Sequence, residues 1–100
     1  MEQRKITLSE SAYADLAGIE NYITQDSPSI ARNFINRIFE KMEQLYAHPE
    51  SGRVVPEFNN KKIRELLLKK YRIVYQILNE EEIVILRIVH GSRLLDLDVN

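Results

Sequence analysis

Arg64, Arg72, Arg87, His90 and Arg93 are the side chains of this sequence whose types and spacing could do chemistry. Arg64, Arg72 and Arg87 each interrupt a run that is otherwise rich in Ile, Val, Leu and Tyr. A guanidinium in such a place needs a carboxylate, a phosphate or open solvent. Brought together, the five offer several planar forks for a phosphate and an imidazole that titrates near neutrality, a set able to bind phosphate or to move a proton. A purely structural reading stands beside this one: Arg64 pairs with Glu65 or Glu57, Arg87 sits opposite Glu80, Glu81 and Glu82, and His90 caps a strand end. Strand register decides which residues share a face, and parity alone does not supply it.

Other chemistries find little footing. Gly18, Gly52 and Gly91 are too scattered to cradle a phosphate. His48 and His90 are far apart and lack ligand-like neighbours at helical spacing, so neither a metal site nor a cofactor is expected. Ser92 two residues from His90, with no third orienting group, is weak evidence for a nucleophile. With no cysteine there is no disulfide, no thiolate ligand and no cysteine nucleophile.

The elements that must position the arginines are three strands, predicted over 63–68, 71–78 and 83–90. Lys69 and Lys70 separate the first two and a polar run of Asn79 and three glutamates the last two, so the three should pair antiparallel. Alternation puts Arg72, Val74, Gln76 and Leu78 on one face and Tyr71, Ile73, Tyr75 and Ile77 on the other. Upstream, residues 4–8 alternate as a short strand. Ser9 is an N-cap before a helix with Ala12, Leu16, Ile19 and Ile23 on one face, flanked by Tyr13 and Tyr22. Asp26, Ser27, Pro28 and Ser29 break that helix and start a second, over 28–46, with Ile30, Phe34, Ile35, Ile38, Met42 and Leu45 facing one way. An irregular approach over 54–60 leads to the sheet, and residues 93–98 form a short helix or a tail. The expected fold is a single α+β domain over 1–100, in two layers and in the order β-α-α-β-β-β. The N-terminal strand and helical hairpin pack on a small antiparallel sheet whose other face is partly open.

The net charge of −1 is unevenly spread, with −3 in residues 1–60 and +2 in residues 61–100. Lys61, Lys62, Arg64, Lys69, Lys70 and Arg72 face a single acid, Glu65, in the window 61–72. That local patch suits an acidic partner, or else discourages edge pairing at strand ends. The N-terminus MEQRKITLSE has no run of signal-peptide type and no stretch is apolar enough for a membrane span, so a cytoplasmic protein is expected.

The strand–helix–helix opening, the connector HPESGRVVPEF, and then IREL, YRIVY and VHGSR in order resemble the RelE/ParE toxin superfamily of bacterial type II toxin–antitoxin systems, on the ParE side. The resemblance implies a small toxin neutralised by a cognate antitoxin in a toxin–antitoxin hetero-oligomer. The antitoxin would use a partly disordered amphipathic segment. RelE-like members cleave mRNA on the ribosome without a metal, and ParE-like members inhibit DNA gyrase. Arg72 and Arg93 match basic positions of the nuclease pattern and Arg64 lies near a third. The end of the chain, LLDLDVN, has neither the Tyr nor the His that usually completes that pattern, Val99 standing about there. The implied function is gyrase inhibition, with Arg64, Arg72, Arg87 and Arg93 supplying charge toward the target. The alternative is a ribosome-dependent endoribonuclease in which Arg72 and Arg93 hold the scissile phosphate of the mRNA and His90 is the acid or base. A toxin fold without toxicity is a third possibility.

Overall fold

Two serines start the two helices. Ser9 Oγ accepts from the Ala12 amide at 3.0 Å and caps α1, Glu10–Thr24, while Ser27 Oγ accepts from the Ile30 amide at 3.3 Å and caps α2, Pro28–Ala47. Pro28 stands at the first helical turn, where a missing amide proton leaves nothing unsatisfied. The computed structural model describes residues 4–93; the expected helix or tail over 93–98, and Val99, lie outside the described residues, apart from Arg93 itself.

The strands are β1 Lys5–Leu8, β2 Arg53–Val54, β3 Ile63–Leu68, β4 Tyr71–Ile77 and β5 Glu82–His90. They form one sheet in the order β1-β5-β4-β3-β2. The antiparallel pairing of β3, β4 and β5 is as expected from their short connectors. The sheet as a whole is mixed rather than antiparallel, because β1 pairs with β5 in parallel, Lys5 opposite Glu82 through Leu8 opposite Ile85. No tight turn joins those two, so the long helical excursion between them leaves the direction open. The second difference is β2, which overlaps the start of the approach expected to be irregular over 54–60. Two residues are too few to show an alternation.

The predicted stripes make the main core. Ala12, Leu16 and Ile19 of α1 and Ile38, Met42 and Leu45 of α2 pack on Leu66, Ile73, Tyr75, Ile83, Ile85 and Ile88. Burying a side chain such as Ile38 or Leu45 contributes about 1.5–3 kcal/mol. The opposite face is not left open at its centre: Val55 and Phe58 of the connector cover Ile63, Val74 and Val89. Tyr75 reaches across to hold that connector. Its hydroxyl donates to the Pro49 carbonyl at 2.7 Å and accepts from the Gly52 amide at 3.0 Å. Gly52 is required there by close approach, since a Cβ would stand 2.6 Å from the Glu65 carbonyl oxygen and 2.7 Å from the Tyr75 hydroxyl.

Register slips once, between Val74 opposite Arg87 and Tyr75 opposite Ile85, which leaves Leu86 as the extra residue of a bulge in β5. The bulge re-aims Arg87.

Candidate functional site

The structure divides the five candidate residues among three places. Arg64 lies under the HPESGR connector. Its Nε donates to the Lys61 carbonyl at 2.9 Å, its Nη1 to the Gly52 carbonyl at 2.9 Å, and Nη2 stands 3.5 Å from Glu50 Oε2. Arg87, turned by the bulge, meets α1: Nε and Nη2 donate to the two oxygens of Asp15 at 2.8 and 3.1 Å. The same carboxylate accepts from the Ile88 amide at 2.8 Å. β1 stops pairing at Ile85, so Asp15 serves the β5 edge where the neighbouring strand has ended.

Arg72, His90 and Arg93 come together at the far end of the sheet. Arg72 is buried on the face away from the helices. Its Nη1 and Nη2 fork onto Glu57 at 2.8 and 2.7 Å, and its Nε donates to Glu65 Oε1 at 2.6 Å. The other oxygen of Glu65 accepts from Arg53 Nε at 2.5 Å. Hydrogen bonding to Glu57, with Glu65 adding to it, raises the Arg72 pKa further above its ordinary value against the opposing effect of burial. The Arg87 pKa is also raised, first by its bond to Asp15. The Arg93 carbonyl accepts from Arg72 Nη1 at 3.2 Å, and the Arg93 amide donates to the His90 carbonyl at 3.0 Å. His90 closes β5 in the open, its ring edge-on to Tyr71 with centroids 5.8 Å apart. Its Nδ1 accepts from the Ser92 amide at 3.3 Å and lies 2.7 Å from Ser92 Oγ.

The demand that each in-strand arginine makes is therefore met by a carboxylate of the same chain, though not by the partners expected. Arg64 turns to Glu50 because Glu65, its neighbour in the strand, points to the opposite face. Arg87 turns to Asp15 because the bulge aims it at α1, while Glu82 begins the same strand. Glu57 and Glu65 serve Arg72 instead. Arg53 was missed by sequence reasoning. It stands directly across from Glu65 in the two-residue β2, a register no pattern reveals, although a carboxylate inside the apolar run IRELLL was itself a signal that cations must converge on it.

Two shallow grooves meet at Tyr71 and His90. One, of about 260 Å³, runs between α1 and the end of β5 and includes Arg93; the other, of about 330 Å³, passes Arg53, Lys69 and Lys70. Lys61, Lys62, Lys69 and Lys70 are all exposed. Among the described residues no group of three or more His, Cys, Asp or Glu could hold a metal ion, and no helix is long and apolar enough to cross a membrane.

The site thus sits on a strand, a helical hairpin and a sheet in which Arg72 is buried while Arg64 and Arg87 are half-buried. The profile of the family described as ParE toxin of type II toxin-antitoxin system, parDE, matches residues 6–95, and the chain belongs to that family. Among solved structures, a chain of the chromosomal ParDE toxin–antitoxin system from P. aeruginosa is similar, with a TM-score of 0.72 and 24% identity over 89% of this chain and 97% of that one. At that identity the likeness establishes the fold. No curated protein sequence matches the chain.

Proposed function

We propose that this ParE-family toxin acts in the cytoplasm by inhibiting DNA gyrase through binding alone, and that a cognate antitoxin neutralises it in a hetero-oligomer. The observation that carries the reading is the state of Arg72. This residue matches a basic position of the nuclease pattern, yet its three donor nitrogens are committed to Glu57, Glu65 and the Arg93 carbonyl. A scissile phosphate would have to displace two carboxylates from a buried fork, and desolvated charge pairs resist such exchange. Arg64 and Arg87 are likewise engaged, which leaves His90, Arg93 and the exposed lysines to meet a target.

Purified toxin titrated into a gyrase supercoiling reaction tests this, with ribosome-bound mRNA examined in parallel. Loss of supercoiling with intact mRNA is the expected result. Unchanged supercoiling at a large excess of toxin would refute it, and codon-phased mRNA cuts that vanish in His90→Ala would install the endoribonuclease reading. Co-expression with the neighbouring reading frame should yield a stable complex; purification of the two proteins apart would refute the antitoxin partnership.

A further inference from the structure

β1 ends the sheet, and among the described residues no strand pairs with its outer edge. The Lys5 amide donates to the Glu81 carbonyl at 2.7 Å and the Ser9 amide to the Ile85 carbonyl at 2.9 Å. Backbone groups alternate in direction along a strand, so Lys5, Thr7 and Ser9 turn toward β5 while the amides and carbonyls of Ile6 and Leu8 point outward. An edge of that kind is a template for another strand. Beside it, between β1 and α2, runs a groove of about 600 Å³ lined by Ile6, Leu8, Met42 and Glu43. Phe39 and Tyr46 complete its lining and stand 42% and 39% exposed.

The sequence of β1 matches itself across such an edge. When a second copy is laid antiparallel, its Ile6 and Leu8 must stay on the groove side, and a slip of one residue would turn them away. With a two-fold axis at Thr7, Ile6 stands opposite Leu8 of the second copy and Leu8 opposite its Ile6. These are the residues whose backbone groups point outward, so each pair exchanges both hydrogen bonds. Lys5 then faces Ser9 rather than another lysine, and Arg4 comes beside Glu10, which is exposed in the first turn of α1. The neighbouring registers do worse. An axis at Ile6 sets Leu8 against Arg4, and an axis at Leu8 sets Ile6 against Glu10, where the chain is already helical.

We infer that the free toxin pairs with a second copy of itself through β1, the two sheets joining across a two-fold axis at Thr7. One register satisfies every demand of the edge: outward donors meet outward acceptors, aliphatic side chains meet aliphatic ones over the groove, and a cation meets a carboxylate at each end. Ile6 and Leu8 of the second copy continue the apolar strip beside Phe39 and Tyr46. A strand of four residues makes a small interface, at the low end of the range for specific contacts, so the dimer is concentration-dependent rather than obligate. The pairing is a property of the toxin alone and holds whatever target it poisons.

The chain contains no cysteine, so a single introduced thiol reports the register. Facing residues of a non-hydrogen-bonded antiparallel pair have Cα atoms about 4.5 Å apart, within the span of a disulfide. Thr7→Cys should therefore give a disulfide-linked dimer in a glutathione redox buffer, reversed by excess reductant. Lys5→Cys, exposed on the same face of β1, is the control: its two thiols would stand at opposite ends of the paired strands and should stay unlinked. Sedimentation equilibrium of the wild type should show monomer and dimer exchanging between about 1 μM and 1 mM. Thr7→Lys sets two cations face to face and should weaken the dimer at least about tenfold with an unchanged melting temperature. A wild type that stays monomeric throughout overturns the inference. So does linking of Lys5→Cys as fast as Thr7→Cys, or association that continues past the dimer. Hydrogen exchange tests the rival occupant: a monomeric free toxin whose Ile6 and Leu8 amides gain protection only with the co-expressed antitoxin gives this edge to the antitoxin and overturns the self-pairing.

Discussion

Arg72 Nε donates a 2.6 Å hydrogen bond to Glu65 Oε1 with both side chains out of solvent, 6% and 0% exposed. The charge on Glu65 is shared with Arg53, which is 58% exposed. The two partners should therefore differ in what they contribute. Glu65→Ala removes a carboxylate from a buried guanidinium and should cost about 3–5 kcal/mol. Arg53→Ala breaks a bond whose cation is largely in water and should cost about 1 kcal/mol or less. Urea denaturation of the two variants checks the ratio, and a double-mutant cycle on Arg53 and Arg72 should reveal coupling through their common carboxylate.

Tyr75 ties the connector to the sheet, so Tyr75→Phe leaves the Pro49 carbonyl and the Gly52 amide without their partner. A loss of about 1–3 kcal/mol is expected. The same substitution should alter the response to alkali. Burial raises the phenol above its ordinary value of 10.0, with the Gly52 amide partly opposing. The folded state therefore holds the proton more tightly than the unfolded chain does. That contribution is present in full below the unfolded value and is lost as pH rises through the folded one. Stability of the wild type should fall above about pH 10, and Tyr75→Phe should fall less over that interval, as urea midpoints at successive pH values would show.

Asp15 is expected to act as a substitute for a strand. It forks Arg87 and accepts the Ile88 amide just where β1 has ended. Asp15→Ala should cost about 1.5–3 kcal/mol, and Asp15→Asn less, because an amide oxygen still accepts from Ile88. Hydrogen exchange gives the sharper reading: the Ile88 amide should lose protection in Asp15→Ala, while amides bonded between β3 and β4 slow or quicken only with global stability.

What could be read from the sequence was whatever is set locally. Ser9 and Ser27 before their helices, the stripes from Ala12 to Ile23 and from Phe34 to Leu45, and the alternation of Tyr71, Ile73, Tyr75 and Ile77 toward the helices all follow from short-range periodicity, while Ile30, expected on the second stripe, stands exposed in the first turn of α2. What escaped depends on distant pairing. The parallel docking of β1, the two-residue β2 and the bulge at Leu86 leave no periodic trace, yet they bring Arg53 to Glu65 and Arg87 to Asp15. The sequence thus announced that its arginines needed partners, and the register chose them.

His90 offers a test that separates binding from chemistry at one residue. It stands exposed at the end of β5, on the rim of the shallow groove beside α1, its ring hydrogen-bonded only to Ser92 among the described residues. A rim residue of a binding module contributes to affinity and takes no part in a chemical step. His90→Ala should therefore raise the toxin concentration for half-inhibition of supercoiling by a few-fold, about 1 kcal/mol or less, while complete inhibition is still reached at higher concentration. A general acid or base behaves otherwise, since its removal lowers the rate at saturation and added enzyme does not restore the chemistry per site. Dose–response curves extended to saturation distinguish the two: a shifted curve with the same plateau fits the binding module, and a lowered plateau refutes it.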